Sequence, residues 1–149
     1  MRERLMSELK TAMKAGEKRR VDTIRMVNAA LKDRDIEARG QGKTLSDDEI
    51  LTLFQKLIKS RQESAEIYEK AGRRELATQE REEIAIIQGF LPQPLGEAEV
   101  DAAIDTAIAE TGATSIKDMG KVVGALKAKY AGRLDMGKAS GKVKAKLGA

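Results

Sequence analysis

Lysine and glycine recur at fixed spacing near the end of this chain, in a phrase that occurs twice. The sequence DMGKVVGALKAK begins at Asp118 and DMGKASGKVKAK begins at Asp135, and eight of the twelve aligned residues are identical. Placed on helices, each copy has an apolar stripe on one side and only lysine, glycine and alanine on the other. Lysine ammonium groups neutralise phosphates, and small residues between them let a large, flat partner approach the helix backbone. The spacing therefore indicates contact with a polyanion.

The candidate nucleic-acid-binding residues are the basic residues and two glycines of this region: Lys117, Lys121, Gly124, Lys127, Lys129, Arg133, Lys138, Gly141 and Lys142. Charge is segregated around them, since residues 117–149 carry a net charge of +7 while residues 92–116 contain five acids and no base. A basic stripe on one module is typical of nucleic-acid binding. Because only 3% of the residues are aromatic, the pattern favours backbone and shape recognition of structured RNA over base stacking.

Two other interpretations of the repeat stay open at the level of the residues. Lysines on a helix surface usually face only water, and glycines can allow two helices of one domain to pack closely. A glycine inside a helix costs about 0.8–1 kcal/mol relative to alanine, so the glycines at 120, 124, 137 and 141 call for a reason. The residues alone do not decide between a nucleic-acid-binding face and a structural or protein-binding face.

The composition excludes much enzyme chemistry. The chain contains neither histidine nor cysteine, which removes the commonest general base, thiol nucleophiles and the usual transition-metal ligands. We therefore expect no catalytic residues, no metal and no cofactor. The first twenty residues mix acids and bases and contain no long apolar run, so we expect no secretory signal, no membrane contact and a cytoplasmic protein.

The elements that position these residues are all predicted to be helices, because the chain is rich in alanine, leucine and charged residues and has only two prolines. Helical periodicity and end signals predict seven helices, at about 2–15, 18–38, 46–71, 73–89, 97–111, 116–130 and 136–147. The third and fourth form a long antiparallel hairpin. The proline-containing segment FLPQPLG (90–96) predicts a boundary between an N-terminal helical domain, residues 1–91, and a three-helix C-terminal module, residues 92–149. A kinked turn between packed helices is the alternative.

The N-terminal half offers weaker candidates. Arg25, Asn28 and Lys32 share a polar helix face, and so do Lys56, Lys59 and Glu63. The alternative is ordinary surface pairing between residues four apart, such as Lys59 with Glu63, which contributes only about 0.2–0.5 kcal/mol. The long hairpin could also act as a docking rod for a protein partner.

With these motifs in view, the whole chain resembles the GatB/YqeY family. Its C-terminal half is similar to the tail domain of the B subunit of the glutamine-dependent tRNA amidotransferase. The phrases that carry the resemblance are RMVNAALKDRDIE (25–37), KLIKSRQESAEIYEKAGRRELATQEREEI (56–84), FLPQPL (90–95) and GATSIKDMGKVVGALKAKYAGRLDMGK (112–138). Gly141 departs from the resemblance, because a stronger helix former is expected within the last helix.

The resemblance implies two helical domains and a link to tRNA-dependent amidation. In the amidotransferase the tail helps to hold misacylated tRNA, and the family is associated with carbon–nitrogen ligase activity that uses glutamine as nitrogen donor. This chain has no room for the catalytic body, so we do not transfer that activity to it. Three function classes remain: a tRNA-binding accessory protein, an adaptor for an amidotransferase or an aminoacyl-tRNA synthetase, and an amidotransferase-related enzyme.

Overall fold

The computed structural model describes residues 1–148, and all of the regular structure among them is helical. The all-α prediction is therefore confirmed. The elements are α1 (Arg2–Ala15), α2 (Lys18–Gly40), α3 (Asp47–Lys70), α4 (Arg74–Gln88), α5 (Glu97–Thr111), a single 3₁₀ turn (Ile116–Asp118), α6 (Met119–Tyr130) and α7 (Met136–Gly148).

The helices form two compact units, the first spanning Met1–Leu91 and the second beginning at Pro92. In the first unit α3 packs most extensively on α4, while α1 and α4 both pack on α2. The 24 residues of α3 correspond to a rod about 36 Å long. The core of the first unit contains fully buried side chains from each of its four helices and from the segment after α4: Leu5, Ile24, Phe54, Ile87 and Phe90.

Local end signals explain most of the helix boundaries. A capping box starts α3, since the Glu49 amide donates to the Ser46 hydroxyl and the Glu49 carboxylate accepts from the Ser46 amide. Gly16 ends α1 in the left-handed conformation, at φ 70°. The second helix extends beyond its predicted end at about residue 38, because α2 continues to Gly40, and the turn after it has a positive φ of 69° at Gly42.

The proline-containing segment begins with a core residue of the first unit. Phe90 is 1% exposed and packs edge to face against Phe54, with ring centroids 6.4 Å apart. The guanidinium groups of Arg4 and Arg20 lie 5.1 and 5.9 Å from the centre of the Phe90 ring. Arg4 also donates to the Gly89 carbonyl at 2.6 Å. These contacts fix the end of the first unit on α1 and α2.

The best-shielded ion pair of the first unit joins α3 to α4. Arg61 Nε lies 3.0 Å from Glu83 Oε2, and the two side chains are only 15% and 17% exposed. The same guanidinium donates to the Leu57 carbonyl at 3.1 Å. Burial, together with the charge of Glu83, raises the pKa of the neighbouring Glu80 carboxyl group. The positive charge of Arg61 thus compensates the carboxylates of Glu83 and Glu80 on this side of the hairpin.

The second unit has its own core, to which both copies of the doubled phrase contribute. Val122 and Leu126 of α6 and Ala139 and Val143 of α7 are buried there with Ile104 of α5. Each copy therefore turns its apolar stripe inward, as predicted from the spacing.

The two copies begin differently. Asp135 caps α7 by accepting from the amides of residues 137 and 138 at 3.0 and 3.2 Å. The predicted helix start at Ile116 is wrong, because residues 116–118 form a 3₁₀ turn and the α-helix begins at Met119. The Ser115 side chain makes no capping bond. Instead, the Asp118 carboxylate accepts from the Thr114 amide at 3.0 Å, and this bond lowers the pKa of Asp118.

Candidate nucleic-acid interface

Three glycines of the doubled phrase lie on exposed helix surface with no neighbour that requires them. A Cβ atom placed on Gly120, Gly124 or Gly141 would meet no atom of another element within 4 Å, and all three residues are exposed. Helix packing within the unit therefore does not account for them. Gly137 is different, because its Cβ would lie 3.3 Å from the capping carboxylate of Asp135.

The lysines around Gly124 are exposed and lack ion-pair partners among residues 1–148. They are Lys117, on the 3₁₀ turn, and Lys121, Lys127 and Lys129 on α6. Lys129 Nζ lies 5.6 Å from the centre of the neighbouring Tyr130 ring. Lys121 adds to the lowering of the Asp118 pKa, after the larger effect of the backbone amides. Because the apolar side of α6 is buried, Lys121 and Gly124 lie on its outer side, and Lys127 and Lys129 lie on its two flanks.

The second copy is only partly free. Lys138 is exposed beside Gly141, whereas Lys142 Nζ lies 3.2 Å from Asp101 and 3.9 Å from Glu97 of α5. Lys146, one turn further along α7, pairs with Asp105 at 2.6 Å. We call this set of contacts the α5–α7 ladder. Lys142, a candidate nucleic-acid-binding residue, thus lies in this ladder.

Arg133 is also held within the second unit. Its Nε donates to the Gln93 carbonyl at 2.9 Å, and its own carbonyl accepts from the Leu95 amide at 2.9 Å. These two bonds tie the proline-containing segment to the turn between α6 and α7. Arg133 was predicted to lie on the same binding face as the lysines, but its observed contacts are those of a structural residue.

Sequence reasoning missed one exposed cation and one set of contacts. Lys144 is exposed on α7 without an ion-pair partner among the described residues, and its spacing from Gly137, Gly141 and Gly148 would have placed it on their side of the helix. The ladder could have been found from spacing too. The acids at 97, 101 and 105 and the lysines at 142 and 146 both recur every four residues, which aligns charges on two neighbouring helices.

The arrangement suits electrostatic binding. Among the described residues, no three histidine, cysteine, aspartate or glutamate side chains cluster closely enough to hold a metal ion. Of the helices in residues 1–148, none combines the length and the apolar character needed to cross a bilayer. Unpaired ammonium groups beside exposed helix backbone can instead contact phosphates.

Comparison with known proteins gives a family match over almost the whole chain, since the Yqey-like protein family matches residues 2–147. Three curated relatives carry the name Altered inheritance of mitochondria protein 41, mitochondrial. The protein from Lachancea thermotolerans is 38% identical over 71% of this chain and 57% of its own length. The protein from Pyrenophora tritici-repentis is 32% identical over 85% of this chain and 71% of its own length. The protein from Eremothecium gossypii is 33% identical over 66% of this chain and 54% of its own length.

Two consequences follow from these relatives. The chain spans little more than half the length of the Lachancea and Eremothecium proteins. The prediction of a cytoplasmic location is wrong on this comparison, because all three relatives are named as mitochondrial proteins. Composition and the mixed charges of the first twenty residues do not separate one compartment from another.

Proposed function

Because the chain belongs to the family of Yqey-like proteins, we propose that it is a tRNA-binding accessory protein whose second unit holds the phosphate backbone. This lysine–glycine face consists of Lys117 on the 3₁₀ turn and of the exposed lysines and glycines of α6 and the first half of α7: Gly120, Lys121, Gly124, Lys127, Lys129, Lys138 and Gly141. The resemblance of the second unit to the tail of a tRNA-dependent amidotransferase supports tRNA as the nucleic acid.

One observation carries this proposal: helix-weakening glycines stand on open surface between lysines that have no ion-pair partner. Gly124 costs the fold about 0.8–1 kcal/mol relative to alanine, and no packing contact within the unit compensates for it. A contact outside the chain that needs close approach to the backbone accounts for both the glycine and the flanking charges. Phosphate groups on a rigid RNA helix fit that requirement, because their recognition depends on charge and shape.

The test measures tRNA affinity at several salt concentrations. About five phosphate contacts give a slope of roughly −4 for log affinity against log salt, by analogy with duplex DNA. Lys121→Ala combined with Lys138→Ala removes two contacts and should flatten the slope by nearly two, with circular dichroism unchanged. Lys56→Ala combined with Lys59→Ala, on exposed positions of α3, makes the same change in net charge and should leave the slope as it is. Equal effects of the two pairs would contradict a dedicated face.

A second substitution tests close approach separately from charge. Gly124→Leu keeps every lysine and has open space for its Cβ atom, so the helix should tolerate it. The larger side chain should hold an RNA backbone away from α6 and lower the affinity. Unchanged tRNA affinity in both this variant and the lysine variant would leave the basic face as solvated or protein-binding surface.

A further inference from the structure

A second surface, on the opposite half of the sequence, combines exposed methionines with unpaired cations. Six large apolar side chains are exposed among residues 1–148, and three of them lie on α1 and α2. Met6 is 59% exposed, Met13 is 52% exposed and Ile36 is 58% exposed. Single exposed apolar residues are common on protein surfaces, but these three occupy two helices that pack directly against each other.

Two side-chain contacts fix how α1 and α2 lie beside each other. Arg2 forms a two-pronged pair with Asp35, with one distance of 2.7 Å, and Arg25 Nη2 lies 4.0 Å from Met13 Sδ. The two helices are therefore antiparallel, and Met6 lies at about the level of Lys32. Between them Leu9 is half-buried and packs against the core. Met6 and Met13, seven residues apart, lie on the same side of α1.

Cations outnumber acids along this surface. Lys10, Arg25 and Lys32 are exposed and form no ion pair with any carboxylate of residues 1–148. In contrast, Arg2, Arg19, Arg20, Arg34, Arg61 and Arg81 of the same unit are all paired with carboxylates. On the helix projections, Glu3 on α1 falls about 20° from Lys10 and Asp22 on α2 falls about 40° from Ile36, both on the sides away from the partner helix.

We propose that the α1–α2 surface binds an amphipathic helix of a partner protein whose polar positions are acidic. Methionine side chains are flexible and polarisable and adapt to the apolar residues of such a helix. An amphipathic helix binds by laying its apolar face along exposed apolar side chains of its partner. The unpaired cations select acidic residues at its edges and disfavour a basic segment. This site is separate from the lysine–glycine face and does not depend on RNA binding.

The sharpest test uses the methionines as their own reporters. The chain has six methionines, so ¹³C-methyl labelling of methionine in the full chain gives six signals. The probe is an 18-residue helical peptide with leucine at every third or fourth position and glutamate elsewhere, and its control has lysine in place of glutamate. The acidic peptide should shift the Met6 and Met13 signals saturably. The signals of Met26, Met119 and Met136, which are half-buried, should stay in place.

Charge reversal supplies the matched variants. Arg25→Glu combined with Lys32→Glu should weaken the acidic peptide at least tenfold and allow the basic control to bind. Ile67→Glu, at a 65% exposed position of α3, should change neither. The proposal is overturned if the acidic peptide leaves Met6 and Met13 unshifted, or if both peptides bind the native chain equally. It is also overturned if the two signals move with protein concentration alone, or with tRNA but not with the peptide.

Discussion

Replacing the two interior glycines of the lysine–glycine face by alanine should stabilise the second unit. Gly124 and Gly141 lie inside α6 and α7, and an added Cβ atom meets nothing within 4 Å at either position. Each alanine should therefore contribute the full difference in helix propensity, about 0.8–1 kcal/mol. Since the two sites share no contact, the effects add to about 1.6–2 kcal/mol. That free energy corresponds to roughly 15–30-fold slower amide exchange wherever exchange requires unfolding of the unit.

The assay is hydrogen–deuterium exchange of the full chain, read at the buried amides of α6 and α7 under conditions in which refolding outpaces exchange. Amides of α3 and α4 serve as an internal reference and should not change. Gly112→Ala is the control of opposite sign: Gly112 ends α5 at φ 66°, where a side chain costs about 1–2 kcal/mol. Faster exchange in Gly124→Ala combined with Gly141→Ala would refute the reasoning, because it would mean that the fold itself needs these glycines.

Three further outcomes are expected. Asp101→Asn combined with Asp105→Asn frees Lys146 and leaves Lys142 only the longer contact with Glu97 in the α5–α7 ladder. The tRNA affinity should therefore rise and its salt slope should steepen by one to nearly two; an unchanged slope would contradict this. Arg61→Ala leaves the shielded Glu83 carboxylate without its ion-pair partner and should lower the free energy of unfolding by about 2–3 kcal/mol in urea titrations. A loss below about 1 kcal/mol would show that the pair contributes no more than an exposed surface ion pair. The backbone bond holds the folded pKa of Asp118 below its unfolded value of about 3.9. The carboxylate therefore stabilises the fold above that value and loses this effect as pH falls through the lower folded pKa. Asp118→Asn should accordingly be less stable than the native chain at neutral pH, with a difference in urea midpoint that shrinks below about pH 4 and is not constant with pH.

Features that depend on neighbouring residues in sequence were predictable. The capping box of Ser46 and Glu49, the glycine end of α1 and the apolar stripes of both copies all follow from residues within one or two turns. Helix content needed nothing more than composition and periodicity. The predicted start of α6 was wrong because two local signals compete. The Asp118 carboxylate accepts from the Thr114 amide instead of completing a capping box with Ser115.

Features that depend on distant partners were not predictable. The proline signal after Phe90 is strong, yet nothing near Phe90 in sequence shows that Arg4 and Phe54 will enclose its ring. Likewise, Lys142 looks like every other lysine of the repeat until α5 brings Asp101, 41 residues away, within 3.2 Å. A sequence motif can thus define a set of candidate side chains, but the fold decides which of them remain available to a ligand.

The α5–α7 ladder has a thermodynamic consequence for binding. A phosphate strand holds condensed cations, and a lysine that neutralises a phosphate releases them and gains entropy. Lys142 and Lys146 already neutralise the fixed carboxylates of Asp101 and Asp105 in the fold. They are therefore less able to replace the cations on a polyanion. The acids of α5 thus act as permanent counterions, and under the proposed function the salt-sensitive part of tRNA binding is confined to the lysines outside the ladder.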